Sequence, residues 1–427
     1  SSEIICSKDE KEFIQKHFYG SNIFCLDDWV YKIGYSYDKL ISFFKVKNLK
    51  GYGVDDEKNG IISAGAVLFY LDLTEHSEIK NITSLSRIDD NKYMWLDKFT
   101  LKNLELVSPM HKDSITLKDV IDHTLTPMGS RLMGRWILNP LLSKKEIVNR
   151  QSYVESFIGD DHLRDSVVMS MKEISDVERI STKIALNRVS PRELVYLKNS
   201  LKSVTDLKLQ LKNSKSKEFK AWSSKLPDFS KTIHHIEKTI HDNPSISFQA
   251  GKVINDGFNK ELDALRKISS EGKNVLLKIQ NDEIERTGIS SLKIAYNKVF
   301  GYYLEVTNAH KDKVPNTWIR KQTLVNAERY ITEELKEYEE TILNADEKIS
   351  EIERVLFMEL LSKLVEDVET LQKVSSSIAF LDCVLSFSSV ALSSALSKPQ
   401  ISDGKKVEIK KGRHLIIEKS LSEEELY

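Results

Sequence analysis

The hydrophobic and polar positions of this chain change their period several times along the sequence. Residues 1–88 alternate short apolar runs with helix-length stretches and hold six of the sixteen glycines, a mixture typical of a small α/β unit. From Lys92 to Val204 the segments have helical length and prolines separate them, which favours a helical domain. The polar, Lys-rich stretch from Asn213 to Ser247 contains Pro227 and Pro244 and predicts a connection between helices.

Between Ser290 and Val325 the period falls to two, the period of a β-strand. Two alternating runs on either side of Gly301 predict a β-hairpin, and the segment from Gln322 to Val325 predicts a third strand. The positions predicted to share one face of the hairpin are Leu292, Ile294, Tyr296, Tyr302, Leu304 and Val306.

The longest predicted element follows this β-rich segment. No proline occurs between Pro315 and Pro399, and no glycine occurs between Gly301 and Gly404. Inside this window apolar residues recur at alternating spacings of three and four, which predicts one helix of roughly 40 residues, about 60 Å long. Ordinary helices have ~10–14 residues, so the length favours a strut or lever, although the core stripe of a helical bundle shows the same spacing. The stripe consists of Leu335, Tyr338, Ile342, Ala345, Ile349, Ile352, Leu356, Leu360, Leu364, Val368 and Leu371.

Composition excludes several classes of protein. The 427 residues carry a net charge of only -1, so the total charge does not indicate a class of binding partner. The scarcity of glycine and proline disfavours collagen-like and sandwich folds. Cys6, Cys25 and Cys383 form no CxxC pair and no complete disulfide framework, which predicts a reducing compartment. The sequence opens without a signal-peptide pattern, and its most apolar run, Ile61 to Leu71, is too short to span a bilayer. We therefore expect a cytoplasmic location and no membrane contact.

No catalytic or metal-binding signature is found in the sequence. The phosphate-binding pattern GxxxxGK[ST] is absent, so we expect this chain to bind no ATP and to have no enzymatic activity of its own. His234, His235 and His241 lie near Asp242 in a polar stretch, without a helix-face spacing or a supporting cysteine, and solvated histidines are the better interpretation. The sequence therefore predicts no catalytic residue, metal or cofactor in this chain.

The charge distribution is the most informative chemical feature. Residues 293–329 carry a net charge of +4, whereas residues 333–369 carry -9. A basic tip on an acidic stalk would meet a polyanion end-on, because phosphate attracts the tip and repels the stalk. A solvated hairpin whose lysines keep its edge strands soluble would show the same charge. Neutral donors accompany the cations and favour phosphate contact: Asn297, Asn308, Gln322, Thr323 and Asn326.

Several long segments resemble the MutS family of DNA mismatch repair proteins. SSLKIAYNKVFGYYLEVT from Ser290 and RKQTLVNAERYITEELKEYE from Arg320 are similar to the clamp and the adjoining lever helix of that family. LDKFTLKNLEL, LTPMGSRLMGRWILNPL and ISDVERISTKIA resemble its core domain, and LKGYGV and SAGAVLFYLDLTEH resemble its connector. GRHLIIE from Gly412 is similar to the strand that opens its ATPase domain. The resemblance covers nearly the whole chain.

The resemblance implies a mainly α fold with a small α/β N-terminal part and a β-rich insert, in which a long-helix lever domain carries a β-hairpin clamp. It divides the chain into the C-terminal part of the connector (1–88), a discontinuous core and lever domain (89–272 and 333–410), the clamp (273–332) and the beginning of the ATPase domain (411–427). The mismatch-reading domain and the Walker motifs of the family have no counterpart, so the sequence resembles a fragment. Leu415 stands where the family usually has proline, and Val325 where it carries a basic residue.

The resemblance also implies a function for the intact protein. It would be a dimer with a second MutS subunit, encircle double-stranded DNA, act as a DNA-dependent ATPase with ATP and Mg²⁺, and recruit a MutL-like downstream factor. Together with the charge count, the clamp motif implies phosphate contact by Asn297, Lys298, Arg320, Lys321, Asn326 and Arg329. Two alternatives stay open: a family paralogue that clamps recombination junctions, and a coiled-coil scaffold that binds protein partners through its acidic stalk.

Overall fold

The computed structural model describes residues 3–18, 20–74, 82–87, 92–111, 114–248, 252–297 and 301–420. The elements of the first half are β1 (Glu3–Ser7), α1 (Lys11–His17), β2 (Asn22–Leu26), α2 (Ile33–Phe44), α3 (Lys58–Leu73), α4 (Lys98–Asn103), α5 (Leu117–Ile121), α6 (Pro127–Leu138), α7 (Lys144–Ile158), α8 (Asp161–Lys172), α9 (Val177–Ala185), α10 (Pro191–Asn213) and α11 (Lys217–Ser224). Those of the second half are α12 (Ser230–Thr239), α13 (Lys260–Thr287), β3 (Lys293–Asn297), β4 (Gly301–Thr307), β5 (Ile319–Thr323), β6 (Ala327–Ile331), α14 (Glu333–Leu364), α15 (Val368–Ser393) and α16 (Leu415–Ser420).

Two compact units share these elements. The first unit comprises Ser1–Val189, Asn199–Phe229 and Leu364–Tyr427, and the second comprises Ser190–Lys198 and Ser230–Lys363. The predicted fold class is confirmed: the chain is mainly α, with a small α/β part at its N-terminus and a β-rich insert. The four-part division into connector, core and lever, clamp and ATPase start stays a prediction.

The N-terminal part of the first unit is a small α/β arrangement. Strands β1 and β2 pair in parallel, and α1 connects them. Helices α2 and α3 pack closely because α3 presents Gly65 to Ser36, where an added Cβ would lie 2.4 Å from the Cβ of Ser36. Leu40, Ile61 and Leu68 are buried beside this contact and form part of the local core.

The helical part of the first unit is built around α15, which packs against α6, α7 and α9. The buried carboxylate of Asp382 on α15 accepts hydrogen bonds from the backbone amides of Leu125 and Thr126, and from the Thr126 hydroxyl, at the start of α6. Thr126 in turn caps α6 by accepting a hydrogen bond from the Gly129 amide at 3.0 Å. The stretch Glu333–Ser393 contains an 18-residue window apolar enough to cross a membrane, but 67% of that window is buried within the fold, as in a core helix.

The stretch from Asn213 to Ser247, predicted to connect helices, is itself largely helical. This stretch contains α11 and α12. The few apolar side chains in the polar sequence lie at helical spacing and are buried, including Phe219 and Trp222 on α11. A short amphipathic helix needs only such a narrow apolar face.

The second unit contains a four-stranded antiparallel sheet with the order β3-β4-β6-β5. The predicted hairpin is confirmed, and Leu304 and Val306 face the buried cluster together with Trp318, Tyr330 and Leu335. The predicted third strand from Gln322 to Val325 is displaced: β5 ends at Thr323, and β6 is a fourth strand that the pattern did not predict. Residues 324–326 form the connecting turn, which the Leu324 amide closes by donating to the Ala327 carbonyl oxygen at 2.8 Å.

The long helical pattern forms two helices instead of one. Helix α14 has 32 residues, α15 has 26, and the 3₁₀ turn Val365–Asp367 separates them. The buried positions also depart from the predicted stripe, because Glu353 and Phe357 are buried whereas Ile352 and Leu356 are only half-buried. The carboxylate of Glu353 accepts hydrogen bonds from Arg266 at 2.6 Å and from the Val253 amide at 2.9 Å, which allows a charged side chain at a core position.

Candidate nucleic-acid interface

The sheet of the second unit places the predicted phosphate-binding residues at two different ends. Asn297 pairs with Gly301 at the first residue of β4, whereas Asn326 precedes Ala327, which pairs with Thr307 at the last residue of β4. The seven-residue strand β4 separates these ends, and its six steps of ~3.3 Å per residue place them about 20 Å apart. Lys298 lies outside the described residues. Asn297 and Asn326 therefore cannot belong to one compact cluster.

The end of the sheet that carries Asn297 adjoins an acidic side chain. The carboxylate of Glu339 on α14 lies against Gly301, and the Tyr302 amide donates to Glu339 Oε2 at 3.4 Å. Gly301 has a φ of +78°, and an added Cβ would overlap this carboxylate. A carboxylate at this end of the sheet repels phosphate, so the opposite end is electrostatically the better place for a phosphate contact.

The two arginines of the predicted site lie on opposite faces of the sheet. Arg320 pairs with Tyr330 in the β5–β6 register, whereas Gln322 pairs with Arg329. Because side chains alternate along a strand, Arg320 shares the face of Tyr330 and Arg329 shares the other face. The two guanidinium groups therefore cannot contact the same phosphate from one face.

Arg329 is held by contacts within the sheet. Its Nε donates to Glu305 Oε2 at 3.0 Å, its Nη1 donates to Gln322 Oε1 at 2.9 Å, and the guanidinium lies 4.4 Å from the centroid of the Tyr303 ring. The side chain is only 19% exposed. Its phosphate contact stays a prediction, and the geometry assigns it a structural part in cross-strand pairing.

Arg320 and Lys311 share one buried carboxylate. Glu328 on β6 is nearly inaccessible, and its Oε1 lies 2.8 Å from Lys311 Nζ and 3.5 Å from Arg320 Nη1. The hydrogen bond from Lys311, followed by that from the Tyr330 hydroxyl, lowers the pKa of Glu328. Burial, followed by the hydrogen bond to Glu328, raises the pKa of Tyr330 to about 12. Both cations remain more than half exposed, so a cluster with a net positive charge faces solvent here.

Lys321 and the tip of the turn after β5 are exposed to solvent. The register between β5 and β6 shifts between Arg320 and Gln322, so Lys321 is the extra residue of a β-bulge. Lys321 is exposed and makes no ion pair within the described part of the chain. In the turn, the carbonyl oxygens of Val325 and Asn326 accept hydrogen bonds from the side chain and the amide of Asn308. This pairing holds Val325 at the tip, where it is 92% exposed.

Two residues of this surface were missed as site residues by the sequence reasoning. Lys311 and Asn308 lie in the 3₁₀ segment Asn308–Lys313 between β4 and β5, which has no periodic pattern. In the sequence, Lys311 contributes to the positive charge of residues 293–329, and Asn308 is one of the neutral donors that accompany the cations. These two observations were the available signals for a binding role. The basic edge of the sheet consists of Lys311, Arg320, Lys321 and Asn326, which lie along β5 and its adjoining loops.

The family resemblance implies ATP and Mg²⁺ for the intact protein and no cofactor for this chain. No group of three or more His, Cys, Asp or Glu side chains in the described part of the chain could hold a metal ion. The sequence also lacks the backbone-amide loop and lysine of a P-loop.

A β-sheet with a basic edge, inserted between two long helices, defines a helical protein with a candidate nucleic-acid-binding arm. Residues 99–388 match the family model described as MutS domain III. The chain is 48% identical over 93% of its length to the DNA mismatch repair protein MutS of Parabacteroides distasonis, and 46% identical over its full length to that of Bacteroides fragilis. It is also 44% identical over 97% of its length to that of Flavobacterium johnsoniae.

The chain therefore belongs to the MutS family. It spans about half the length of the relatives it matches: 46% of the Parabacteroides protein, 49% of the Bacteroides protein and 48% of the Flavobacterium protein. Each of these relatives is a DNA mismatch repair protein.

Proposed function

We propose that this chain is the part of a MutS protein that grips duplex DNA through its phosphates, without reading sequence. The basic edge would supply the contacts. Phosphate contacts position a protein on DNA but carry no sequence information directly, so affinity from this surface would be indifferent to base sequence. The observation that carries the proposal is the cluster in which Arg320 and Lys311 share one buried carboxylate while both stay exposed, beside the unpaired bulge residue Lys321.

The predicted contact residues would have different roles. Arg320, Lys321 and Asn326, together with Lys311, would contact phosphate directly. Arg329 would support them from the other face by fixing the β5–β6 pairing through Gln322 and Glu305. Asn297 would make at most a separate contact, because it belongs to the opposite end of the sheet. The contact predicted for Lys298 stays a prediction.

We further propose the context of this surface in the intact protein. In a dimer of two MutS subunits the arm would link mismatch recognition to an ATPase that binds ATP and Mg²⁺ outside this chain. The protein would then engage a MutL-like factor and act in the cytoplasm. The acidic run of residues 333–369 would keep DNA at the basic edge, because like charge repels phosphate from the stalk.

The salt dependence of binding tests this function. We expect the chain to bind a plain duplex with a dissociation constant of about 10⁻⁴–10⁻⁶ M at physiological salt, with a log K versus log[salt] slope of about -3 for three neutralised phosphates. Fluorescence anisotropy on a homoduplex and on the same duplex with one G·T mispair should give equal affinities. A clear preference for the mispair, or binding that salt does not weaken, would contradict the proposal, and salt-insensitive binding of a protein partner would favour the scaffold alternative.

A further inference from the structure

Two of the three cysteines face each other across the parallel strand pair of the N-terminal part. Cys6 on β1 and Cys25 on β2 are direct partners in the strand register. Their Sγ atoms lie 3.9 Å apart, and both are free thiols. Paired residues on neighbouring strands point to the same face, so no change of fold is needed to bring these thiols together.

The backbone spacing is compatible with a covalent bond between these residues. Adjacent strands lie about 4.7–4.9 Å apart, which falls within the ~4.4–6.8 Å between Cα atoms that disulfides span. Bond formation requires the sulfur atoms to approach by roughly 2 Å, to the ~2.05 Å of an S–S bond, and side-chain rotation with a small strand movement supplies it.

The two thiols differ in their exposure to solvent, and this difference determines which of them an oxidant reaches first. Cys25 is partly accessible, whereas Cys6 is buried. Burial, followed by the hydrogen bond to Cys25, raises the pKa of Cys6 to about 11, so Cys6 stays protonated at neutral pH. An oxidant from solvent therefore meets Cys25 first, and Cys6 is the nearest group able to react with the product.

We propose that Cys6 and Cys25 form a reversible disulfide site that reacts with peroxides. The thiolate of Cys25 attacks one oxygen of hydrogen peroxide, which breaks the O–O bond, gives a sulfenic acid on Cys25 and releases hydroxide that becomes water. The sulfur of Cys6 then displaces the sulfenic hydroxyl group, forms the S–S bond, and passes its proton to the departing hydroxide as a second water. The two thiols lose two electrons and two hydrogens in total, and the peroxide is reduced to two waters. A small dithiol then reduces the disulfide by thiol–disulfide exchange, which restores both thiols and leaves the dithiol oxidised.

The third cysteine provides an internal control. Cys383 is fully buried in α15, and its Sγ donates to the Gly129 carbonyl oxygen at 3.4 Å. Burial raises the pKa of Cys383 far above its usual range. We expect Cys383 to remain a reduced thiol under conditions that oxidise the Cys6–Cys25 pair.

Peptide mapping of the oxidised full chain tests the proposal. After hydrogen peroxide treatment, blocking of free thiols and tryptic digestion without reduction, we expect SSEIICSK joined to HFYGSNIFCLDDWVYK, about 2 Da lighter than the sum of the two peptides. Dithiothreitol should restore both peptides, Cys25→Ser should abolish the linkage, and Cys383→Ser should leave it unchanged. The wild-type map alone decides the matter if a variant fails to fold. Further oxidation of Cys25 with Cys6 still a thiol, or a disulfide between two chains, would overturn the proposal.

Discussion

Lys311 Nζ lies 2.8 Å from Glu328 Oε1, and this ion pair joins a solvent-facing cation to a carboxylate inside the sheet. The same oxygen lies 3.5 Å from Arg320 Nη1. One buried acid therefore orients two cations that come from different segments of the chain. The pairing offsets one of the two positive charges and leaves the other available to phosphate.

Glu328→Gln should separate the stability of the sheet from its affinity for DNA. We expect a lower thermal stability because two ion pairs and the charge-assisted bond from Tyr330 are lost, and a higher duplex affinity because the surface gains one net positive charge. Thermal melts and anisotropy titrations of both proteins measure the two effects. Glu340→Gln, which removes an exposed acid on α14 that lies 3.9 Å from Lys336, is the matched control and should change stability little.

The same substitution predicts a pH dependence. The folded pKa of Glu328 is lowered from its ordinary 4.5, so its contribution to stability is fully present above that pH and is lost as the pH falls through the folded pKa. The difference in melting temperature between wild type and Glu328→Gln should therefore be largest near neutral pH and shrink in acid. A difference that grows in acid would contradict the assigned pairing.

Val325→Lys should strengthen DNA binding. Val325 is 92% exposed at the tip of the β5–β6 turn, so a lysine there costs no buried contact and adds one cation beside the basic edge. We expect a salt slope steeper by about 0.9, the contribution of one neutralised phosphate. Val355→Lys on α14 adds the same charge at a site that is 52% exposed and serves as the control. Equal effects of the two substitutions would show that total charge, and not its position, determines binding.

Glu353→Ala should destabilise the second unit strongly. It would leave Arg266, which is 16% exposed, without its buried partner, and would remove the acceptor of the Val253 and Ile254 amides. Breaking a buried ion pair typically costs about 3–5 kcal/mol. Urea denaturation of the full chain measures the loss. Glu351→Ala, an exposed position on the same helix, should stay within about ±0.5 kcal/mol, and equal behaviour of the two variants would be inconsistent with the buried pair.

Gly129→Ala and Gly134→Ala should have opposite effects on stability, although both lie on α6. A Cβ at Gly129 would lie 2.1 Å from Asp382 Oδ2, whereas at Gly134 the nearest atom would be Lys118 Nζ at 3.8 Å. Overpacking at a buried site costs about 1–3 kcal/mol, while alanine in place of a helical glycine contributes about 0.5–1 kcal/mol. Chemical denaturation distinguishes the two, and stabilisation by Gly129→Ala would contradict the close contact between α6 and α15.

The parts of the fold that follow from local periodicity could be predicted from the sequence. The alternation around Leu304 and Val306 predicted the hairpin and its buried face, because a strand with one face in the core repeats every two residues. Strand β6 was missed because Glu328 and Arg329 are both polar and resemble a solvated segment. Their partners are Lys311, Arg320, Glu305 and Gln322, which lie elsewhere in the chain, so no local pattern indicates that both side chains are enclosed.

The long helix and the candidate site also depend on contacts between residues that are distant in the sequence, which a local pattern cannot reveal. Glu353 occupies a core position of α14 only because Arg266, 87 residues earlier, supplies its counter-charge, and a periodicity argument cannot anticipate such a pair. The charge count selected a set of basic residues, yet it could not assign Arg320 and Arg329 to opposite faces of the sheet. That assignment depends on the bulge at Lys321, which shifts the register of β5 against β6.

Replacement of Arg320 and Lys321 together by alanine tests the central claim most directly. We expect weaker duplex binding on every sequence and a log K versus log[salt] line flatter by about 2 units, because each neutralised phosphate contributes roughly -0.9 to the slope. Lys260 and Lys278, two exposed lysines on α13, give a control pair of equal charge whose replacement by alanine should leave the slope nearly unchanged. If the Arg320 and Lys321 variant keeps the wild-type affinity and slope while it remains folded, the basic edge is not the DNA-gripping surface.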